Sequence, residues 1–320
     1  MKYDTINGLN NKISKLIMGN DNQTEFDSAA KLWDHWIEVG GNAFDTAHIY
    51  GGGLMESLLG KWMKERNIRD NLTIIAKGAH TPNCNPENIS KQLTESLDRL
   101  QIETADIYIM HRDNLDYPVD EFMDVLNIEK DKGRLKIFGG SNWNIERFRE
   151  ANTWAEKNNK QEMSILNNNL ALAKMINPLW DGCISSNNEI TLDYLKDSNK
   201  AHMSWSSQAR GYFLDEVTTQ KIEDSITKSE SSWRKPGEHS SGPLSCYESN
   251  ENQIRKKRAN ELAITNNLSA HNIAAAWTIN QPFSSFALVG PRTIEEITST
   301  LPCLDIDLSQ DQIKWLNLIS

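Results

Sequence analysis

The sequence predicts an α/β protein, a (β/α)8 TIM barrel of parallel strands. Three observations carry this. Short apolar runs alternate with longer stretches whose apolar residues recur three and four apart, and the alternation can be followed through eight units. The length, 320 residues, suits one such barrel. Three consecutive predicted strands end in a titratable residue, Asp45, Lys77 and His111, which is the pattern of a site on the C-terminal face of a barrel.

Residues 1–15 are polar and Asn-rich, and are expected to cap the bottom of the barrel. Leu16-Ile17-Met18-Gly19 is the first strand, with Gly19 permitting close backbone approach to a ligand. A helix over about 25–39 places Phe26, Ala29, Ala30, Trp33, Trp36 and Ile37 on one face, and Gly40-Gly41 ends it. The Asp45 strand runs into a glycine-bearing turn with Tyr50, then a helix over about 54–66. Thr73–Lys77 is the third strand. A helix over about 86–100 repeats Ile89, Leu93, Leu97 and Leu100. Asp106–His111 is the fourth strand, and Pro118 opens a helix that stops at Gly133. Ile137–Asn142, Ser164–Asn169, His202–Ser206 and Ser285–Gly290 complete the strands, with a helix expected over about 189–197.

The whole chain, 1–320, reads as one domain interrupted by a long loop after strand seven, about 211–250. That loop is polar and punctuated by Gly, Pro and Ser, and it is expected to be a mobile lid carrying Trp233 and Tyr247. The formal net charge of −10 argues against nucleic acid and anionic membrane as partners. No run of about 18 apolar residues spans a bilayer, and Met1–Lys15 has no apolar signal-peptide core. Cys84, Cys183, Cys246 and Cys303 lack metal-type spacing, so no metal site is expected. Free thiols fit a cytoplasmic protein, a monomer or a homo-oligomer.

A carbonyl that accepts a hydride at carbon needs a proton at oxygen, from a donor of workable pKa. Tyr50 can give that proton, Lys77 can lower the phenol's pKa, Asp45 can hold Lys77, and His111 can bond the carbonyl oxygen. Ala43 and Asp45, Ile75 and Lys77, and Ile109 and His111 share one strand face by parity. In this order the four residues resemble the catalytic tetrad of the aldo-keto reductases. Phe44-Asp45-Thr46-Ala47, Tyr50-Gly51, Glu56 and Leu59-Gly60 resemble that family's first signature. The resemblance runs from Met18 to about Ile306 and implies an NAD(P)-dependent oxidoreductase acting on a small carbonyl or alcohol.

The resemblance also implies a nicotinamide cofactor held on the barrel itself, NADP(H) in first place and NAD(H) as the alternative. No G-x-G-x-x-G follows a strand. Ser141 and Asn142 look like the family's carboxamide-binding pair, and Asn167 stands where a Gln is common. Trp205 falls where an aromatic ring, usually Tyr, meets the nicotinamide. Ser206, Gln208 and Arg210 occupy the pyrophosphate loop, in which Ser207, Gln208 and Ala209 replace Pro, Leu and Gly. Gly290, Arg292 and Glu296 lie in the adenosine segment. Glu296 would repel a 2′-phosphate, whereas Arg292 could pair with one. Asn20, Asp21, His48, Arg112 and Trp143 stand near the tetrad as candidate substrate contacts, a polar set suited to hydroxyls. They point to a sugar or another polyhydroxylated carbonyl. A second reading is a nicotinamide-binding regulatory or sensor subunit with little turnover. The intact tetrad favours the enzyme.

Overall fold

The computed structural model describes residues 1–228 and 241–319. An antiparallel pair, β1 (Tyr3–Asp4) and β2 (Ile13–Ser14), precedes the barrel. The barrel strands are β3 (Leu16–Gly19), β4 (Ala43–Asp45), β5 (Thr73–Gly78), β6 (Ala105–Met110), β7 (Leu135–Ser141), β8 (Ile165–Asn167), β9 (Ala201–Ser204) and β10 (Ser285–Val289). All pair in parallel, and β10 closes the ring onto β3. Helices α1 (Phe26–Glu38), α2 (Leu54–Arg66), α3 (Pro86–Leu100), α4 (Val119–Asp131), α5 (Ile145–Lys157) and α6 (Glu189–Asp197) fill the connections up to β9. Between β9 and β10 stand α7 (Glu216–Lys228), α8 (Pro243–Tyr247), α9 (Asn250–Thr265) and α10 (Ala270–Ile279). After β10 come α11 (Ile294–Thr300) and α12 (Gln310–Leu316).

Strand parity divides the apolar residues between two cores. Ile17, Ala43, Ile75, Ile109, Ile137, Ile165 and Met203 fill the barrel. Leu16, Met18, Phe44, Ile74, Ala76, Tyr108 and Phe138 face the helices. The predicted faces hold: Ile89, Leu93, Leu97 and Leu100 of α3 are all buried, as are Ala29, Ala30, Trp33 and Trp36 of α1. Helix starts follow their caps, since Asn85, Asn144 and Asn188 each accept from the backbone N–H three residues on. Pro118 takes the cap position itself, one residue before α4. The hairpin plugs the lower end of the barrel, as expected. Its Ile6 and Ile13 join the interior cluster.

Two glycine sites place the catalytic side. The turn carrying Tyr50 continues through Gly51, Gly52 and Gly53 with φ of 56°, 64° and 96°, a left-handed run that other residues resist. On Gly60 a Cβ would lie 2.4 Å from the Arg99 carbonyl oxygen, so only glycine lets α2 pack this closely on α3.

Two expectations need correction. Gly19 approaches the Val289 carbonyl of the neighbouring strand, 3.1 Å from a built Cβ, so strand packing explains it. The stretch 211–250 is not one irregular lid. It begins with α7, which is capped by Asp215 through the Thr218 N–H at 2.9 Å. It ends with α8, whose Leu244 N–H bonds Glu223 of α7 at 2.7 Å. Tyr247 is fully buried, and its hydroxyl accepts from Asn169. Residues 229–240, and with them Trp233, lie outside the described residues. Among the described residues no helix is long and apolar enough to cross a membrane.

Candidate active site

All the predicted site residues sit at or just past the C-terminal end of a barrel strand, or in the connection that follows it. Asp45 ends β4, Lys77 stands one residue before the end of β5, and His111 follows β6. Parallel pairing of β4, β5 and β6 sets their heights: Asp45 lies opposite Ile75, and Lys77 opposite Ile109. Lys77 Nζ donates to Asp45 Oδ2 at 2.6 Å, with both groups 3% exposed. The same ammonium stands 5.1 Å from the Tyr50 ring centroid. The Tyr50 and His111 rings meet edge to face at 5.6 Å. The structure thus brings the four residues together.

Burial and charge decide their protonation. Burial raises the Asp45 carboxyl above its ordinary value, and Lys77 offsets part of this. Burial alone would depress Lys77, but Asp45 and Tyr50 push it upward, so the ammonium persists. Sequence reasoning has Lys77 lowering the Tyr50 pKa. Its influence has that sign, yet burial outweighs it and the phenol rises to about 12. Tyr50 is therefore a protonated donor at neutral pH. His111 is held well below its usual pKa by burial and by Lys77, His80 and Arg112, which makes it neutral. Its Nδ1 is buried without a partner.

A cleft of about 290 Å³ opens over this group, lined by His48, Gly52, Lys77, His80 and His111 among others. A separate cavity of about 440 Å³, between Leu262, Ile273 and Asp307, touches none of the tetrad. His48 Nε2 meets Glu95 Oε2 at 2.5 Å. Asp21 is exposed and acts electrostatically on Asp45 and Tyr50. Asn20 is enclosed and gives its amide to Met55 O of α2 at 3.0 Å, while its Oδ1 is buried without a partner. Trp143 is likewise fully buried, with its indole N–H on the Arg112 carbonyl at 3.3 Å. It supports Arg112 from below.

The predicted cofactor residues gather along β7, β8, β9 and β10. Two features suit them to a polar ligand. Buried polar atoms without partners include Asn167 Oδ1, Trp205 Nε1 and Gln208 Nε2. Asn142, Ser206, Ala209 and Arg210 have φ between 49° and 57°, a concentration of left-handed non-glycine backbone of the kind kept at binding sites. Asn167 spends its amide N–H on Met203 O, leaving the carbonyl oxygen as an acceptor. Glu296 is tied to Arg292, accepting from its backbone N–H at 2.7 Å and from its guanidinium at 3.4 Å. Gly290 is exposed, and its carbonyl is bonded by Asn22.

Sequence reasoning missed two groups. His80 packs edge to face on His111 at 4.8 Å. Its signal was a histidine two residues past the end of β5. The segment Trp180–Ile184 crosses the mouth. Trp180 lies 5.2 Å from Trp205 at 32°, Gly182 O accepts from Arg112, and the Ile184 N–H bonds Asn142 Oδ1. Its signal was the Pro178-Leu179-Trp180-Asp181-Gly182 run inside a long connection.

Comparison with known proteins identifies the family and the fold. The family model described as the aldo/keto reductase family matches residues 15–319. The oxidoreductase YrpG of Bacillus subtilis is 24% identical, over 99% of this chain and 95% of its own. Norsolorinic acid reductase of Aspergillus flavus is 22% identical over 95% and 73%. The solved structure of a thermostable aldo-keto reductase, Tm1743, bound to the inhibitor epalrestat, superposes with a TM-score of 0.75. It shares 19% identity and covers 100% of both chains, a likeness of fold. The chain belongs to the aldo/keto reductase family, and is an NAD(P)-dependent oxidoreductase.

Proposed function

We propose that this chain reduces an aldehyde or ketone with NAD(P)H, or oxidises the corresponding alcohol, with Tyr50 as proton donor and acceptor. The observation that carries this reading is the convergence of Tyr50 and His111 on the buried Asp45–Lys77 pair. Tyr50 keeps its proton at neutral pH and passes it from Oη to the substrate oxygen. Lys77 stabilises the phenolate left behind, and Asp45 holds Lys77 in place. Neutral His111 donates an N–H to the same oxygen.

The nicotinamide, when bound, supplies the hydride. Ser141, Asn142 and Asn167 would hold its carboxamide, and the free oxygen of Asn167 supports that role. Trp205 would cover one ring face. Ser206, Gln208 and Arg210 would take the pyrophosphate, with Gly290, Arg292 and Glu296 at the adenosine end. NADP(H) is favoured by family habit, with NAD(H) the alternative, because a 2′-phosphate competes with Glu296 for Arg292. The substrate is a sugar or another polyhydroxylated carbonyl, in keeping with the polar residues His48, Asp21 and Arg112 that follow β4, β3 and β6. Four free cysteines agree with a cytoplasmic setting.

The test is Tyr50→Phe assayed by NAD(P)H oxidation with a panel of aldoses. Turnover should fall by roughly 10²–10⁴ while cofactor affinity is retained. Near-normal kcat would remove Tyr50 from the role.

A further inference from the structure

We propose that Arg112 docks a carboxylate on the substrate, so that this site takes carbonyl compounds bearing an acid group in preference to neutral aldoses. The proposal rests on reading the tetrad as a carbonyl-reducing site, and it narrows the substrate class.

Arg112 follows His111 directly and is only 7% exposed. A guanidinium presents five N–H donors in a planar fork. Here Nη1 reaches the Gly182 carbonyl at a long 3.4 Å, and the Cys183 thiol lies beside it. Among the described residues no carboxylate stands within 4 Å of Arg112. The adjacent Asp113 is held by Arg147, Nε to Oδ2 at 3.2 Å. Asp181, exposed on the crossing segment, acts on Arg112 from beyond ion-pair distance. Burial depresses the Arg112 pKa, as expected for a cation short of compensation.

Position and rigidity make this charge useful. Arg112 is the next residue after His111 at the end of β6, and its charge acts on Tyr50 and His111. Its backbone is pinned from two sides: the carbonyl accepts from Cys84 Sγ at 3.2 Å and from Trp143 Nε1 at 3.3 Å. With the backbone held and the side chain 7% exposed and bonded to Gly182 O, little freedom is left to lose on binding. Gly182 O marks one place where an acceptor sits, and a carboxylate offers two charged acceptors that match the guanidinium fork. A neutral hydroxyl would leave the charge uncompensated.

The experiment compares kcat/KM within pairs that differ by the acid group: succinic semialdehyde against butanal, and glucuronate against glucose. Glucose 6-phosphate serves as a second anion. The wild-type enzyme should prefer the carboxylated member by roughly 10- to 100-fold, the range of a charge-assisted hydrogen bond. In Arg112→Met the ratio should fall to near unity, mainly through KM. Arg112→Lys should keep part of it. Cofactor-induced fluorescence quenching confirms that each variant is folded. If Arg112→Met does not fold, the wild-type ratio and Arg112→Lys still decide the matter. Equal use of both members by the wild type, an undiminished ratio in Arg112→Met, or a preference for phosphate over carboxylate would each overturn the proposal. Turnover of no carbonyl at all would instead defeat the reading of the tetrad.

Discussion

Lys77→Met probes the buried ion pair that underlies the site. The substitution keeps most of the side-chain volume and removes the charge. It leaves Asp45, 3% exposed, without the ammonium that stood 2.6 Å away. A lone buried carboxylate takes up a proton in preference to staying charged. Holding that proton at pH 7 on a group with an unfolded pKa of about 3.9 costs about 4 kcal/mol, at about 1.4 kcal/mol per unit. Breaking a buried pair directly is expected to cost a similar amount, about 3–5 kcal/mol. The sign follows from the protons bound. Between about pH 3.9 and 7 the folded variant carries one proton more than the unfolded chain, so its stability falls as pH rises. At pH 5 the same penalty is about 1.5 kcal/mol. Urea unfolding of the wild type, Lys77→Met, Asp45→Asn and the double variant, at both pH values, measures this. The double variant should recover most of the loss, because asparagine has no proton to take up. A Lys77→Met loss that is equal at the two pH values, or untouched by Asp45→Asn, would refute the reasoning.

Three further expectations follow from the same structure. Trp205→Ala should abolish most of the cofactor-induced fluorescence quench and weaken cofactor binding by roughly 0.5–1.5 kcal/mol; an unaltered quench removes Trp205 from the nicotinamide. Glu296→Gln frees Arg292 from its carboxylate partner and should raise the NADPH-to-NADH affinity ratio about tenfold. Titration calorimetry with both cofactors checks this, and an unchanged ratio would count against Arg292 as the phosphate contact. His202 is buried between Ser204 and Ser186, and burial lowers its pKa to about 3. Below about pH 6.5 the unfolded chain binds the proton that the folded chain refuses, so stability should drop by about 1.4 kcal/mol per unit as pH falls. His202→Gln should flatten that slope in urea titrations, and a slope left unchanged would show that other groups set it.

Much of the fold was legible because burial imposes period on sequence. The strand faces of Ile75 and Lys77, or Ile109 and His111, follow from parity alone. The caps at Asn85 and Asn188 announce their helices. The tetrad was legible because four chemically distinct groups stand at strand ends. Helix α7 was obscured by its polar, Thr-bearing sequence, although Asp215 three residues before Thr218 was an available cap signal. The protonation of Tyr50 could not be read from residue types, because it depends on how much burial opposes Lys77. Nor could the placement of Trp180 and Gly182 over Trp205 and Arg112, since a long connection has no periodicity to anchor it. The same holds for Asn20 and Trp143. Their residue types suggest contact with a ligand, and no residue type foretells that Asn20 gives its amide to Met55 O and Trp143 its indole N–H to Arg112 O.

The two cores separate what neighbouring residues do. Ile74 belongs to the shell between strands and helices, and Ile75, one peptide later, belongs to the barrel interior beneath Asp45 and Lys77. Volume changes at Ile74, Phe44 or Tyr108, all fully buried, press on the helices packed outside the ring. Those at Ile75, Ile109 or Ala43 press on a closed ring with nowhere to relax. Sequence drift, or deliberate redesign for heat resistance, therefore acts in the outer layer on the seating of the helices, on the opposite strand face from the reacting groups. The inner layer behaves as the foundation of the chemistry, where the gain or loss of a single methyl reaches the ion pair above.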